Sequence, residues 1–216
     1  MGHPERTEKA IDMAMRYRGV AGDKVNEPEP YCILREFFPD YLDMTDEYLL
    51  ADVMSRPGLT FREHCQIIIA TLASIRFEGG LKSHMKWALN VGLSREEVIE
   101  IIMVVSRFAG WPEEDEILHL IDERYPGFLK KTNGNPLEKA WSHPGITQRE
   151  HNMITIAAFA ALRFKDRLKV SISHGLDNGL SRESILETIM QITPFAGWPV
   201  GTEALRIANA VFSSRE

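Results

Sequence analysis

The feature that most constrains this 216-residue sequence is an internal repeat. When the chain is shifted by 87 positions, 29 of the 62 residues between positions 51 and 112 are identical to their partners, without a gap. The block Phe108-Ala-Gly-Trp-Pro112, for example, recurs as Phe195-Ala-Gly-Trp-Pro199. So long an ungapped match indicates a tandem duplication. We therefore divide the chain into an N-terminal helical arm (1–44), repeat one (45–125) and repeat two (126–216).

The pattern within each repeat is typical of α-helices. Thr60-Phe-Arg-Glu63 and Thr147-Gln-Arg-Glu150 have the form of capping boxes that open apolar runs. Gly92 stands where a left-handed C-cap is needed, and Ser94 then caps a third helix. No period-two run of β-branched residues occurs, so we expect an all-α fold in which the two repeats pack about a pseudo-twofold axis.

Further helices and connections are predicted outside these motifs. The arm should contain a helix near 5–18, a Pro-rich linker at 26–30 and a helix near 31–43, and a surface linker should join the repeats at 125–136.

Composition narrows the function classes. The chain has 25 basic and 31 acidic side chains, and a net charge of -6 disfavours nucleic-acid binding. Cys32 and Cys65 form no CxxC pair, which favours a reducing cytoplasmic location over a disulfide framework. The longest apolar run, 67–73, is too short to span a membrane. Neither a phosphate-binding glycine loop nor a metal-ligand cluster is indicated.

Two residues of repeat one are candidates for acid–base chemistry. His84 lies in the apolar stripe of its helix, so it is either a satisfied core histidine or a general acid or base that faces a pocket. Glu63 is either catalytic or only the partner of Thr60 in the capping box. In repeat two, Ser171, His174 and Asp177 cannot form a triad, because Ser171 and Asp177 point about 120° apart on a helix.

Several of these motifs, taken together, resemble those of a known protein family. The pattern Ser55-Arg-Pro-Gly-Leu-Thr60, Arg62-Glu63, Lys82-Ser-His84 and Phe108-Ala-Gly-Trp-Pro112 resembles the carboxymuconolactone decarboxylase family, which includes the AhpD alkylhydroperoxidases. The resemblance implies an all-helical unit that usually forms hexamers, so three tandem chains would build a pseudo-hexamer. It also implies decarboxylation of an unsaturated lactone acid from aromatic-compound catabolism, without a metal or organic cofactor.

Departures from the family pattern narrow this expectation. The peroxidase branch has cysteines seven and four positions before the histidine, where this chain has Phe77 and Gly80, so thiol peroxidase chemistry is disfavoured. The decarboxylase branch commonly has a glutamate at the position of Gly80, and Glu78 is the nearest substitute. Repeat two has Arg167 and Ser171 at the positions of Gly80 and His84, so its site looks degenerate or repurposed.

The sequence thus predicts a cofactor-independent lyase for a small unsaturated lactone or carboxylic acid, with His84 in an enclosed apolar cavity between helices of the two repeats. Arg107 is a candidate ligand for the substrate carboxylate, because an Arg fork suits that group. The candidate catalytic residues are His84, Glu63 and Arg107, and the candidate substrate-binding residues are Trp87, Glu78, Trp111 and His174. The alternatives are a related isomerase, cyclase or C–C cleavage enzyme, or a non-catalytic small-molecule-binding or assembly protein.

Overall fold

The described structure, a computed structural model, covers residues 4–19, 36–110, 114–127 and 145–215. Its helices in the arm and repeat one are α1 (Pro4–Arg18), α2 (Pro39–Asp46), a π-helical segment (Glu47–Val53), α3 (Phe61–Ser74), α4 (Glu78–Ala88), a short 3-10 turn (Leu89–Val91), α5 (Arg95–Ala109) and α6 (Glu114–Arg124). Repeat two contains α7 (Gln148–Ala161), α8 (Lys165–Asp177), α9 (Arg182–Ala196) and α10 (Trp198–Ser213). No strand occurs in this part of the chain, and the all-α prediction is confirmed.

The predicted helix signals act as expected. The hydroxyls of Thr60 and Thr147 each accept the backbone N–H of the glutamate three residues on, which completes a capping box at the start of α3 and of α7. Ser94 does the same for α5. Gly92 has φ +85°, the left-handed conformation that only glycine adopts without strain.

The arm differs in part from the prediction. The helix near 5–18 is present as α1. Residues 31–35 of the helix expected near 31–43 lie outside the described residues, and residues 36 and 37 are helical. Phe38 then has a non-helical backbone, and α2 begins at Pro39, since proline favours the first turn of a helix, and continues into the π-helical segment. The linker at 26–30 and most of the linker at 125–136 lie outside the described residues.

The core is built from the first helix of each repeat. Helices α3 and α7 pack against each other, α3 also contacts α9, and α7 also contacts α5. The contact of α3 with α9 corresponds to the contact of α7 with α5 when the two repeats are exchanged, as a pseudo-twofold arrangement requires. Most of α3 is buried, including Ile67, Ile68 and Ile69, so it forms the centre of one continuous core.

Crossed ion pairs join the repeats at the start of α3 and α7. The guanidinium of Arg62 donates to Glu97 at 2.6 Å and to Glu150 of repeat two at 2.8 Å. In the other direction, Arg149 donates to Glu63 at 2.6 Å and to Ser184 at 3.0 Å. Glu63 and Glu150, the capping glutamates of α3 and α7, therefore each pair with an arginine of the opposite repeat.

None of the helices in the described ranges is long and apolar enough to cross a membrane.

Candidate active site

The candidate active site is centred on His84 in the middle of α4. Its side chain is 4% exposed, and Leu81, Met85 and Ala88 on the same helix face are fully buried. This is the apolar stripe expected from the sequence. The imidazole is therefore held inside the protein rather than in solvent.

Tyr17 of α1 is the polar partner of this imidazole. Its hydroxyl lies 2.5 Å from Nδ1 of His84 and 3.4 Å from Sγ of Cys65, and the tyrosine is 1% exposed. The Nε2 atom of His84 has no hydrogen-bond partner in the described part of the chain. The contact holds the ring through Nδ1 and leaves Nε2 unengaged by these residues.

Aromatic rings surround the imidazole on its other sides. The ring centroid of Trp87 lies 4.9 Å from that of His84, and the Phe195 centroid lies 5.7 Å away, both in edge-on geometry. Phe195 is half-buried and belongs to repeat two. The surroundings of His84 thus include side chains from the arm and from both repeats.

Burial keeps the imidazole neutral. Desolvation, and to a smaller extent the positive charge of Arg18, lower the pKa of His84 to about 3. Burial also raises the pKa of the Cys65 thiol to about 12, although the hydrogen bond from Tyr17 opposes the shift. At neutral pH the centre therefore contains an uncharged imidazole, a phenol and a thiol.

Arg18 is the cation whose charge reaches this centre. Its guanidinium lies 5.1 Å from the Trp87 ring and donates two hydrogen bonds to Asp46, at 2.8 and 2.6 Å. Arg107, the predicted carboxylate ligand, is instead exposed in the last turn of α5. No sequence motif indicates that the end of α1 lies here.

The glutamates predicted for the site have other surroundings. Both carboxylate oxygens of Glu63 are engaged, one by the Thr60 backbone N–H at 2.7 Å and the other by Arg149. Glu78 is the exposed first residue of α4, six positions before His84 and so about 9 Å away along the helix axis. The structure therefore gives Glu63 the architectural role, and we leave it out of the proposed reaction.

Two further candidates lie apart from this centre or beyond the described residues. His174 is exposed on α8 in repeat two, where Asn178 Nδ2 contacts its ring at 3.2 Å. Trp111 lies outside the described residues.

Comparison with known proteins identifies the family. The model of the carboxymuconolactone decarboxylase family matches the chain twice, at residues 39–123 and 126–210. The chain belongs to the carboxymuconolactone decarboxylase family. The 4-carboxymuconolactone decarboxylase of Acinetobacter baylyi is 29% identical to it over 90 residues, which are 42% of this chain and 67% of that protein.

A solved structure supports the fold of this tandem family member. It is the crystal structure of a candidate gamma-carboxymuconolactone decarboxylase subunit from Burkholderia xenovorans LB400, with a TM-score of 0.58 and 16% sequence identity. The similarity covers 96% of this chain and 98% of the other chain. At this identity the match shows the fold alone.

The packing around Gly80 is consistent with the lack of a glutamate at this position. It is buried, and a Cβ atom at this position would lie 2.7 Å from the ring of Phe77 and 3.2 Å from a methyl group of Leu72. A glutamate side chain could enter only if Phe77 moved. A carboxylate in the family's usual place thus conflicts with the packing at the start of α4.

An enclosed cavity beside His84 stays a prediction. Three cavities lined by described residues have volumes of about 240, 240 and 420 Å³, and His84 does not line any of these three. The rings of Tyr17, Trp87 and Phe195 lie close to the imidazole. Sequence reasoning missed Tyr17, and the only signal for it was its place in the apolar stripe Ala10, Met13, Ala14, Tyr17.

Proposed function

We propose that the chain is a cofactor-independent lyase that decarboxylates a small unsaturated lactone acid or carboxylic acid, with His84 as general acid and base. The supporting observation is a buried, uncharged imidazole held through Nδ1 by Tyr17 and enclosed by aromatic rings. The family membership, and a relative named as a 4-carboxymuconolactone decarboxylase, suggest this class of reaction. His84 has no counterpart in repeat two, where Ser171 stands, so we assign the reaction to repeat one.

The reaction requires the site to stabilise an electron pair released from a breaking bond and to deliver a proton to carbon. The bond between carbon and carboxylate breaks, carbon dioxide leaves, and the electron pair passes into a conjugated carbonyl. A proton must then reach carbon. A bound carboxylate would favour the imidazolium form of His84 by its charge, against the desolvation that lowers the pKa in the resting protein. The imidazolium then protonates the dienolate from Nε2 and returns to the neutral form, so each turnover takes one proton from solvent.

Arg18 is the proposed source of electrostatic stabilisation. Its charge acts on His84 in the resting protein, and the enclosure of the site strengthens such interactions because little water screens them. A substrate carboxylate or dienolate oxygen near Trp87 would feel the same charge. We therefore propose Arg18, rather than Arg107, as the cation that orients the substrate anion.

The route of the substrate to His84 is proposed to involve the rotation of one side chain. Tyr17 and Trp87 are almost fully buried, whereas Phe195 is half-buried. We propose that Phe195 rotates away to admit the substrate between the repeats. The Tyr17 contact with Nδ1 then persists during the reaction.

Assembly with further copies of the chain is part of this proposal. Exposed apolar side chains lie along one groove of repeat two, with Leu186 40% exposed, Trp198 63% and Leu205 41%. Large exposed apolar surfaces of this kind are typical of interfaces. We propose a homotrimer that arranges its six repeats as a pseudo-hexamer.

The second candidate function is a non-catalytic small-molecule-binding protein. It is favoured by the aromatic rings that cover His84 and by the low pKa of this residue, which leaves it a weak base at rest. A related isomerase, cyclase or C–C cleavage enzyme would use the same imidazole on a different bond.

One experiment separates these functions. The full chain is incubated with 4-carboxymuconolactone and a panel of other unsaturated lactone acids, while carbon dioxide and organic products are measured and thermal shifts are recorded in parallel. Carbon dioxide release supports the lyase. A raised Tm without any product supports the binding protein, and a rearranged product without carbon dioxide supports the isomerase or cyclase.

A further inference from the structure

Repeat two contains a polar cleft that the proposed reaction does not use. It has a volume of about 420 Å³ and lies between α7 and α8. Its lining consists of Gln148, His151, Asn152, Thr155, Ser171 and His174. All six side chains are polar, and none is a lysine, an arginine or a carboxylate.

This cleft is the counterpart of the His84 site in repeat one. A shift of 87 positions places the six lining residues on Phe61, His64, Cys65, Ile68, His84 and Trp87. Only the histidine pair 64 and 151 is identical. The apolar or aromatic members Phe61, Cys65, Ile68 and Trp87 are replaced by Gln, Asn, Thr and His, so repeat two has kept the position and changed its chemistry.

In repeat one, the corresponding space is filled by Tyr17. The tyrosine ring lies 5.7 Å from the Phe61 ring and 5.6 Å from the Trp87 ring, and its hydroxyl bridges Cys65 and His84. The counterparts of Cys65 and His84 are Asn152 and Ser171. A ligand oxygen that takes the place of the Tyr17 hydroxyl would therefore lie between Asn152 and Ser171.

Asn152 supplies an unused donor at this point. The residue is 6% exposed, and its Oδ1 accepts a hydrogen bond from Gln148 Nε2 at 3.3 Å. Its Nδ2 is buried and has no hydrogen-bond partner among the described residues. A buried donor left without an acceptor costs about 1–3 kcal/mol, so an acceptor that enters the cleft would be stabilised there.

The other polar groups also favour an acceptor-bearing ligand. Nε2 of His151 lies 3.3 Å from Glu100 Oε1, so this ring nitrogen faces a carboxylate oxygen of repeat one. Thr155 already donates its hydroxyl proton to the His151 carbonyl oxygen at 2.8 Å. The hydroxyl of Ser171 and the ring of His174 offer further donors along α8.

We propose that this cleft of repeat two binds a small ionised carboxylic acid, with one carboxylate oxygen accepting hydrogen bonds from Asn152 Nδ2 and Ser171 Oγ. An ionised carboxylate accepts stronger hydrogen bonds than a neutral carbonyl, which makes it the ligand best matched to neutral donors in a partly enclosed cleft. The site is separate from His84 and does not depend on the proposed lyase activity. It binds and does not react, because no residue equivalent to His84 is present.

The test uses maleate, a four-carbon unsaturated dicarboxylate, as the probe. The side-chain amide signals of Asn152 are followed in ¹H–¹⁵N spectra of the full deuterated chain and are assigned by their loss in Asn152→Leu. We expect a saturable shift of these signals with maleate, and a response at least about tenfold weaker with its neutral dimethyl ester. In Ser171→Ala the apparent Kd should rise by about fivefold or more, since one of two proposed hydrogen bonds is removed.

Three results would overturn the proposal. They are no movement of the Asn152 signals, an equal response to the diester, or an unchanged Kd in Ser171→Ala. If Asn152→Leu does not fold, selective labelling of asparagine assigns the signals and Ser171→Ala carries the test. His84→Ala should keep the Asn152 response, so a failure of the lyase proposal and a failure of the cleft proposal give different results.

Discussion

The hydroxyl of Tyr17 in the N-terminal arm lies 2.5 Å from Nδ1 of His84 in repeat one, although the two residues are 67 positions apart in the chain. Both side chains are almost fully buried, and the contact joins α1 to α4. The arm therefore completes the candidate site instead of serving only as an extension of the repeat.

Loss of this hydroxyl should affect rate and stability together. Tyr17→Phe keeps the ring but removes the partner of His84 and of Cys65, so we expect the free energy of unfolding to fall by about 1 kcal/mol. If Tyr17 orients the imidazole, kcat should fall by about tenfold while KM changes little. Denaturant unfolding and steady-state kinetics measure the two effects. Tyr48→Phe is the matched control, because the Tyr48 ring lies 6.0 Å from the Trp198 ring and its hydroxyl has no hydrogen bond in the described structure. A Tyr17→Phe protein with unchanged kcat would remove the positioning role.

Stability should depend on pH through His84. Its pKa is about 3 when folded, against about 6.5 when unfolded, so between these values the unfolded chain binds more protons. The free energy of unfolding therefore contains a contribution that is fully present above pH 6.5 and is lost as the pH falls toward 3, with a limiting slope of about 1.4 kcal/mol per pH unit.

His84→Gln removes this contribution. Urea unfolding of both proteins at pH 7 and pH 5 should show a smaller loss of stability in the variant, while other titrating groups affect both alike. Equal losses would mean that His84 is not neutral and desolvated in the folded protein.

The crossed ion pairs between the repeats should contribute unequally. Arg62 bridges Glu97 and Glu150, whose side chains are 11% and 8% exposed, whereas Arg149 is 41% exposed and pairs with only one carboxylate, Glu63. Arg62→Ala leaves two largely buried carboxylates without their cation, and we expect a loss of about 2–3 kcal/mol in the free energy of unfolding. Arg149→Ala leaves one buried carboxylate, that of Glu63, which keeps its hydrogen bond from the Thr60 N–H, and solvent screens the exposed arginine, so we expect a smaller loss of about 1 kcal/mol. Urea unfolding of both variants measures the difference, and a larger loss in Arg149→Ala would contradict the account.

The exposed groove of repeat two should matter for assembly. Trp198→Glu and Leu205→Glu place a charge on apolar surface that is proposed to be covered by another copy of the chain. We expect the mass measured by light scattering after size-exclusion chromatography to fall from that of a trimer to that of a monomer. Lys169→Glu is the control, because Lys169 is exposed on α8 outside the groove, and it should leave the mass unchanged. A wild-type monomer, or an assembly that survives both groove variants, would be evidence against this interface.

Local signals made most of the fold predictable. The capping boxes at Thr60 and Thr147, the cap at Ser94 and the left-handed Gly92 each depend on a few neighbouring residues, and the repeat extended the prediction from one half to the other. In the described part of the helix predicted near 31–43, the non-helical backbone of Phe38 interrupts the helix, and the proline at 39 sets the start of α2.

The candidate site was less predictable because it depends on distant contacts. The apolar stripe placed His84 correctly inside the protein, but nothing local shows that Tyr17 and Arg18 from α1 reach it. A cavity beside the imidazole stays a prediction. In repeat two, the polar residues around Asn152 can be read from the sequence. The open cleft depends on the packing, since none of its described lining residues is a counterpart of Tyr17.

Carbon dioxide release by His84→Gln is the most direct test of the central proposal. Wild type and variant are compared on whichever lactone acid the wild type turns over, with His119→Gln as the control, because His119 is exposed on α6 and plays no part in the site. The account predicts that His84→Gln keeps the fold and assembly of the wild type while its kcat falls by at least about a thousandfold, and that His119→Gln is unaffected. Carbon dioxide release at the wild-type rate by a folded His84→Gln protein would contradict it.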